Sequence, residues 1–388
     1  AKKGPQGQSQ EVMWEDILQP ADLLLPEDIS SIGQTMMMHD ANGLPDVKAC
    51  RLALIGLPDA NGEHQAANAI RQQLYTLQKG AWDFDFADLG NVPAGRDHVD
   101  TLVAIEDVAK ELIQRQCIPI FIGGQSQDAL GLYRAYASLE QLVNMAVISS
   151  GIAMGDDNQA ADASNWLTHV LMSKPYHLFH LACLAYQTYF VPEETLTIME
   201  KMHFEALRIG QIKGTMAAAE PLLRDMDIIV ADNASMGSVD APGQISPNPN
   251  GLSSVDFCQA MRYAGMSDKS SSLMLTGYHP TLDPHGHNAM ALAQGIWYIA
   301  EGIQWRKGDY PHRPVKDYLK FTVWLEGDEG HEMVFYKSPL SERWWMVVPA
   351  SPSESARKSM IPCSHEDYLQ ALKGDIPDRW WKASRRAI

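Results

Sequence analysis

The sequence predicts an α/β fold: three layers, α/β/α, around a mostly parallel sheet, with a β-rich aromatic appendage at the C-terminus. Three observations predict it. Short apolar runs recur, such as residues 51–57 (RLALIGL) and 118–122 (IPIFI), and unbroken apolar runs are how strands covered on both faces read. Stretches with helical spacing separate them, with Ile70, Leu74 and Leu77 in 66–78 and Leu102, Ile105, Val108 and Leu112 in 99–116. Strands alternating with helices imply crossover connections and parallel pairing. Third, the chain has 388 residues, 45% of them hydrophobic. At that length roughly three quarters of the unfolded surface is buried, and one large domain with additions, or two domains, needs no covalent staples.

Taken in order, residues 1–45 mix charge, glycine and short apolar patches, and read as an N-terminal extension with a helix or two. The core spans 46–315. After the strands at 51–57 and 118–122, further strands are expected at 145–149, 177–184, 204–209, 227–231 and 272–278. Helices are expected at 128–137, 193–202, 214–224 and 254–264. Beyond Pro311 the character changes. Segments 320–325, 333–336 and 344–348 read as a meander of strands, followed by a helix near 365–373 and the pair Trp380-Trp381. Seven of the ten tryptophans lie from Trp297 onward, so 316–388 is expected to cover the core or to meet another subunit.

Composition removes several function classes. Lys and Arg number 31 against 48 Asp and Glu, a formal charge of −17, which argues against nucleic acid, since phosphate contacts need clustered cations. No apolar run approaches the ~20 residues of a membrane span. The five cysteines, Cys50, Cys117, Cys183, Cys258 and Cys363, are odd in number and lack CxxC spacing, unlike a disulfide framework or a zinc site. The first residues, AKKGPQGQSQEVMWED, lack the apolar core of a signal peptide, so the expected compartment is the cytoplasm. No GxSxG, P-loop or GxGxxG is present.

Parallel sheets place chemistry at the carboxyl ends of their strands. Four such ends stand out: Gly123-Gly124-Gln125-Ser126-Gln127 after IPIFI, the run from Ser149 to Gly155 after MAVI, Asp232-Asn233-Ala234 after DIIVA, and Gly277-Tyr278-His279-Pro280 after SLMLT. In this order and spacing they resemble the ureohydrolase family of arginase, agmatinase and formimidoylglutamase, whose corresponding motifs read GGDHS, DAHxD, SFDxD and an acidic residue before Asn-Pro. The resemblance covers about 48–310 and implies an arginase-like fold. YRAYA, YQTYFVP, RYAGMSDK, YKS…RWWM and EDYL…KGDIPDRWWK look like a formimidoylglutamase-like or arginase-like branch.

Hydrolysis of a guanidine or formimino C–N bond needs a hydroxide at neutral pH, and the resemblance implies two Mn²⁺ ions bridging one water to supply it. The family's ligands, His, Asp, His, Asp, Asp and Asp, fall on Ser126, Ser149, Gly151, Ala153, Asp232 and Ala234. Only Asp232 keeps a donor suited to a hard cation. The acidic residue that anchors the substrate falls on Gly277. The expectation is therefore a pseudoenzyme that has lost its manganese pair, has no cofactor, and acts in binding or assembly as a homo-oligomer or with a protein partner. No small-molecule ligand is identifiable. The alternative is an active hydrolase of linear amidines that uses Mn²⁺ or one relocated Zn²⁺, the latter held by His279, Asp283, His285 and His287.

Plainer readings stand beside these. Gly123-Gly124 makes a tight turn with Ser126 or Gln127 capping the next helix. Asp232 is either a residual ligand or a carboxylate hydrogen-bonded at a strand end. Asp156 and Asp157 are either a cation site or two solvated loop acids. His177 and His180 are read as core, and Cys183 as an inert apolar filler.

Overall fold

The computed structural model describes residues 14–156, 158–311, 315–325, 331–349 and 359–386. Nine strands form the central sheet: β1 (Met37–Met38), β2 (Cys50–Leu57), β3 (Asp85–Asn91), β4 (Ile118–Gly123), β5 (Val143–Ile148), β6 (Leu178–Tyr186), β7 (Glu205–Arg208), β8 (Ile228–Asp232) and β9 (Ser272–Thr276). Their spatial order is β1-β3-β2-β4-β9-β8-β5-β6-β7, and every pairing is parallel.

Alternate side chains leave each strand on opposite faces, and both faces are dry. Leu52, Leu54, Ile120, Ile122, Ile148, Ile229 and Leu273 meet the helices Gln65–Thr76, Ser254–Met266 and His287–Gln304. Ala53, Ile55, Phe121, Met145, Val147, Val230 and Met274 meet His98–Gln114, Ala129–Ser138 and Trp166–Met172. Each large side chain so buried contributes about 1.5–3 kcal/mol. The layering is the one that the sequence predicts.

Three elements differ from the expectation. β3 is polar in sequence, DFADLGN, yet buried, second from the edge between β1 and β2. Asp88 sits inside a buried ion pair, accepting from Arg71 Nε at 2.7 Å, with Tyr75 Oη donating to it at 2.8 Å. The helix His287–Gln304 is buried around much of its girth, which blurs the one-sided stripe that marks an amphipathic helix. The single helix expected at 214–224 is instead a 3₁₀ turn, Met216–Ala218, and a short helix, Glu220–Leu223, with Pro221 in its first turn. The extension at the start supplies the helical turns Trp14–Ile17 and Ile32–Thr35 and the edge strand β1.

The appendage is an antiparallel sheet in the order β10 (Leu319–Leu325), β11 (His331–Lys337), β12 (Trp344–Val348) and β13 (Ser359–Cys363). Val323, Phe335, Trp344 and Met346 pack on one face against Ala371, Trp380 and Ala383 of the helices His365–Leu372 and Asp378–Arg386. On the other face Trp345 is fully buried, with the Arg224 guanidinium 4.7 Å from its ring centre. Arg224 Nη2 donates to the Cys363 carbonyl at 3.0 Å, and Lys382 Nζ donates to Glu205 at 2.9 Å. The appendage therefore covers the core at the amino ends of the central strands. No helix among the described residues is long and apolar enough to cross a membrane.

Candidate functional site

The opposite end of the sheet holds a cavity of about 370 Å³ whose lining includes Ser126, Ser149, Gly151, Ala153 and Asp232. β4 delivers the first of these. Gly123 and Gly124 both have positive φ, +82° and +65°, and a Cβ on Gly124 would stand 2.3 Å from Asp128 Oδ2. Only glycine fits that turn. Asp128 Oδ2 accepts from the Gln125 amide at 2.7 Å, and Oδ1 meets His98 Nε2 at 2.7 Å. The carboxylate of Asp128 raises the His98 imidazole pKa, through their hydrogen bond first, against partial burial.

With the turn held by Asp128, Ser126 does not cap the helix as expected. Its hydroxyl donates to Asp232 Oδ2 at 2.5 Å. Asp232 Oδ1 accepts from the Ala234 amide at 2.8 Å, so both carboxylate oxygens are engaged at the end of β8. Burial raises the Asp232 pKa, while the hydrogen bonds from Ser126 and Ala234 and the charge of His279 oppose the rise. Gly277, at φ +76°, lies so close that a Cβ there would stand 2.7 Å from Asp232 Oδ1. Ser149, Ser150, Gly151 and Ala153 follow β5 around the cavity, and Met154, Trp166 and Phe190 give it an apolar wall.

The geometry thus gathers the strand-end positions around one carboxylate. A pair of manganese ions does not fit this donor set. Two divalent cations need several anionic oxygens and imidazoles, whereas Ser126, Ser149, Gly151, Ala153 and Ala234 supply neutral hydroxyls or no side-chain donor. Among the described residues no group of three or more His, Cys, Asp or Glu is placed to hold a metal ion.

The loop beyond β9 is organised otherwise than the relocated site requires. Asp283 is buried and accepts from Tyr278 Oη at 3.0 Å and from the amides of His287, Asn288 and Ala289 at 2.9–3.1 Å. Its carboxylate ties down the start of the helix His287–Gln304. His285 and His287 are exposed, and His279 lies toward Asp232.

Asp156 caps its own loop, accepting from the Asn158 amide at 3.0 Å; Asp157 lies outside the described residues. His180 is 2% exposed, with both ring nitrogens lacking a hydrogen-bond partner among the described residues. Burial holds its pKa well below the ordinary imidazole range, with nearby cations adding to the effect. Cys183 is buried, its thiol pushed up to about 12.

Sequence reasoning missed the polar lock behind the cavity. Asn233 Nδ2 donates to Asn288 Oδ1 at 3.0 Å, Asn288 Nδ2 donates back to Asn233 Oδ1 at 2.8 Å, and Gln244 Nε2 reaches the Asn233 carbonyl at 3.1 Å. Its one sequence signal is Asn233, beside Asp232 in the strand-end motif.

The model of the Arginase family matches residues 52–301. No curated protein matches the chain. Among solved structures it is similar to a formiminoglutamase from Trypanosoma cruzi with Mn²⁺, at 15% identity and TM-score 0.60, over 66% of this chain and 95% of that one. A formimidoylglutamase from Bacillus subtilis gives 16% identity and TM-score 0.60 over 79% and 96%. The agmatine ureohydrolase of Thermoplasma volcanium gives 16% and 0.57 over 73% and 97%.

Proposed function

The chain belongs to the arginase family, and we propose that within it this protein is a non-catalytic member whose carboxyl-end cavity and surfaces serve binding or assembly. One observation carries this reading: the six strand-end positions hold a single carboxylate, and Ser126 and the Ala234 amide already hydrogen-bond its two oxygens. A carboxylate in that state is a poor start for two cations, and among the described residues no group of three or more ligating side chains makes up the deficit. The cavity retains hydroxyls from Ser126, Ser149 and Ser150 beside Trp166, Phe190 and Met154, a lining suited to a small ligand with both polar and apolar parts.

The competing reading is an active C–N hydrolase. It draws support from the similar structures, which are a formiminoglutamase, a formimidoylglutamase and an agmatine ureohydrolase. Thermal unfolding with added Mn²⁺ separates the two. A group that binds only the folded state raises its stability by mass action. Under our reading the melting temperature is unchanged by millimolar Mn²⁺. A rise of several degrees, with formimidoylglutamate or agmatine turnover, overturns it.

A further inference from the structure

The outer strand of the appendage is an open edge. β10 pairs with β11 and has no strand on its other side among the described residues. Open edges in stable proteins are usually guarded by proline, a bulge or several charges. β10 reads LKFTVWL, pairs with β11 in unbroken register, and carries one charge, Lys320. Leu319, Lys320, Thr322 and Trp324 are exposed. Trp324, at 70% exposure, is set apart from the other exposed tryptophans. Trp305 has the Lys307 ammonium 5.2 Å from its ring centre and Trp381 has the Arg385 guanidinium at 5.7 Å. Trp324 has no such ring or cation contact among the described residues.

We propose that β10 is a self-recognition edge, pairing antiparallel with β10 of a second copy about a two-fold axis at Thr322. The strand is self-complementary about that point. Antiparallel pairing centred there sets Lys320 of each copy opposite Trp324 of the other, close enough for the ammonium to lie over the indole. On the helix-covered face Phe321 meets Val323 and Leu319 meets Leu325, so the apolar layer runs on across the junction. A slip of one residue would turn the apolar face of one copy against the polar face of the other. A slip of two leaves both Lys320–Trp324 pairs unmade. The strand itself holds no carboxylate in a chain of net charge −17, so no carboxylate of one β10 is set against a carboxylate of the other.

Sedimentation velocity on the full chain, with three single variants, tests this. The wild-type chain is expected to be a dimer at micromolar concentration, and Trp324→Lys, which sets lysine against lysine, to weaken association by about tenfold or more. Thr322→Cys is expected to form a disulfide-linked dimer on mild oxidation, because the axis brings that residue to its own counterpart. Leu319→Cys, opposite Leu325, is expected not to. The native cysteines are all buried and do not compete. A wild-type monomer at about 100 µM, or equal cross-linking of the two cysteine variants, overturns the proposal. So does a dimer indifferent to Trp324→Lys, or a monomer that pairs only with a different protein.

Discussion

In the cavity at the carboxyl ends of the central strands a single carboxylate, Asp232, faces hydroxyls, glycines and alanines; at the amino ends, charge is dense. There Lys269 Nζ stands 3.3 Å from Asp227 and 3.6 Å from Asp225, and Tyr310 donates to Asp225. Arg224 is wholly buried between Glu220, at 3.2 Å, and the Trp345 ring. Arg343 reaches the same Glu220 oxygen at 3.4 Å. In an α/β sheet the carboxyl end is where ligands are handled, so the crowded end of this molecule is the structural one. The pairs Arg343–Glu220 and Lys382–Glu205 join core to appendage. The carboxyl end keeps its cavity, and under our reading it no longer supplies the donors for a metal pair.

The largest expected effect comes from breaking the crowded end. Arg224→Ala removes an ion pair, a carbonyl contact and the cation over Trp345 together. It is expected to lower stability by about 3 kcal/mol, read from urea unfolding. An effect below about 1 kcal/mol would show the junction to be ordinary surface.

Asp227 gives the next test. Burial raises its pKa to about 6, with Lys269 pulling the other way. An unfolded aspartate titrates near 4, so between about pH 4 and 6 the folded chain keeps a proton that the unfolded chain has released. This group's contribution to stability therefore falls as pH rises through that window. The difference between Asp227→Asn and wild type is expected to shift in the variant's favour by about 2 kcal/mol from pH 4 to pH 7. A flat difference would contradict the assignment.

The carboxyl end should respond more weakly. Ser126→Ala leaves the Asp232 carboxylate one donor short and is expected to cost about 1 kcal/mol. Adding Asp232→Asn should recover much of it, because the amide has less need of that donor. A double-mutant cycle on these two positions measures the coupling; additive losses would show that the 2.5 Å contact carries no energy.

The same contrast explains what the sequence made legible. Strands such as β4 and β9 announce themselves because both faces are apolar, and the strand-end motifs could be placed because each follows such a run. β3 hides its role because the Asp88–Arg71 pair substitutes buried charge for apolar content. Ser126 could be assigned a position but not a partner, since Asp232 lies 106 residues away. The reach of Asp283 to the amides of His287–Ala289 was equally invisible, because ligand-type residues on a loop do not reveal which backbone groups they satisfy.

The central claim is that the strand ends no longer form a metal centre. Its most direct test is the metal content of protein purified from manganese- and zinc-supplemented medium, counted per chain by mass spectrometry. The account predicts a value near zero for both. About two manganese per chain, the complement of a bridged pair, would contradict it and restore the hydrolase. About one zinc would contradict it too, and would direct attention to the histidines beyond β9.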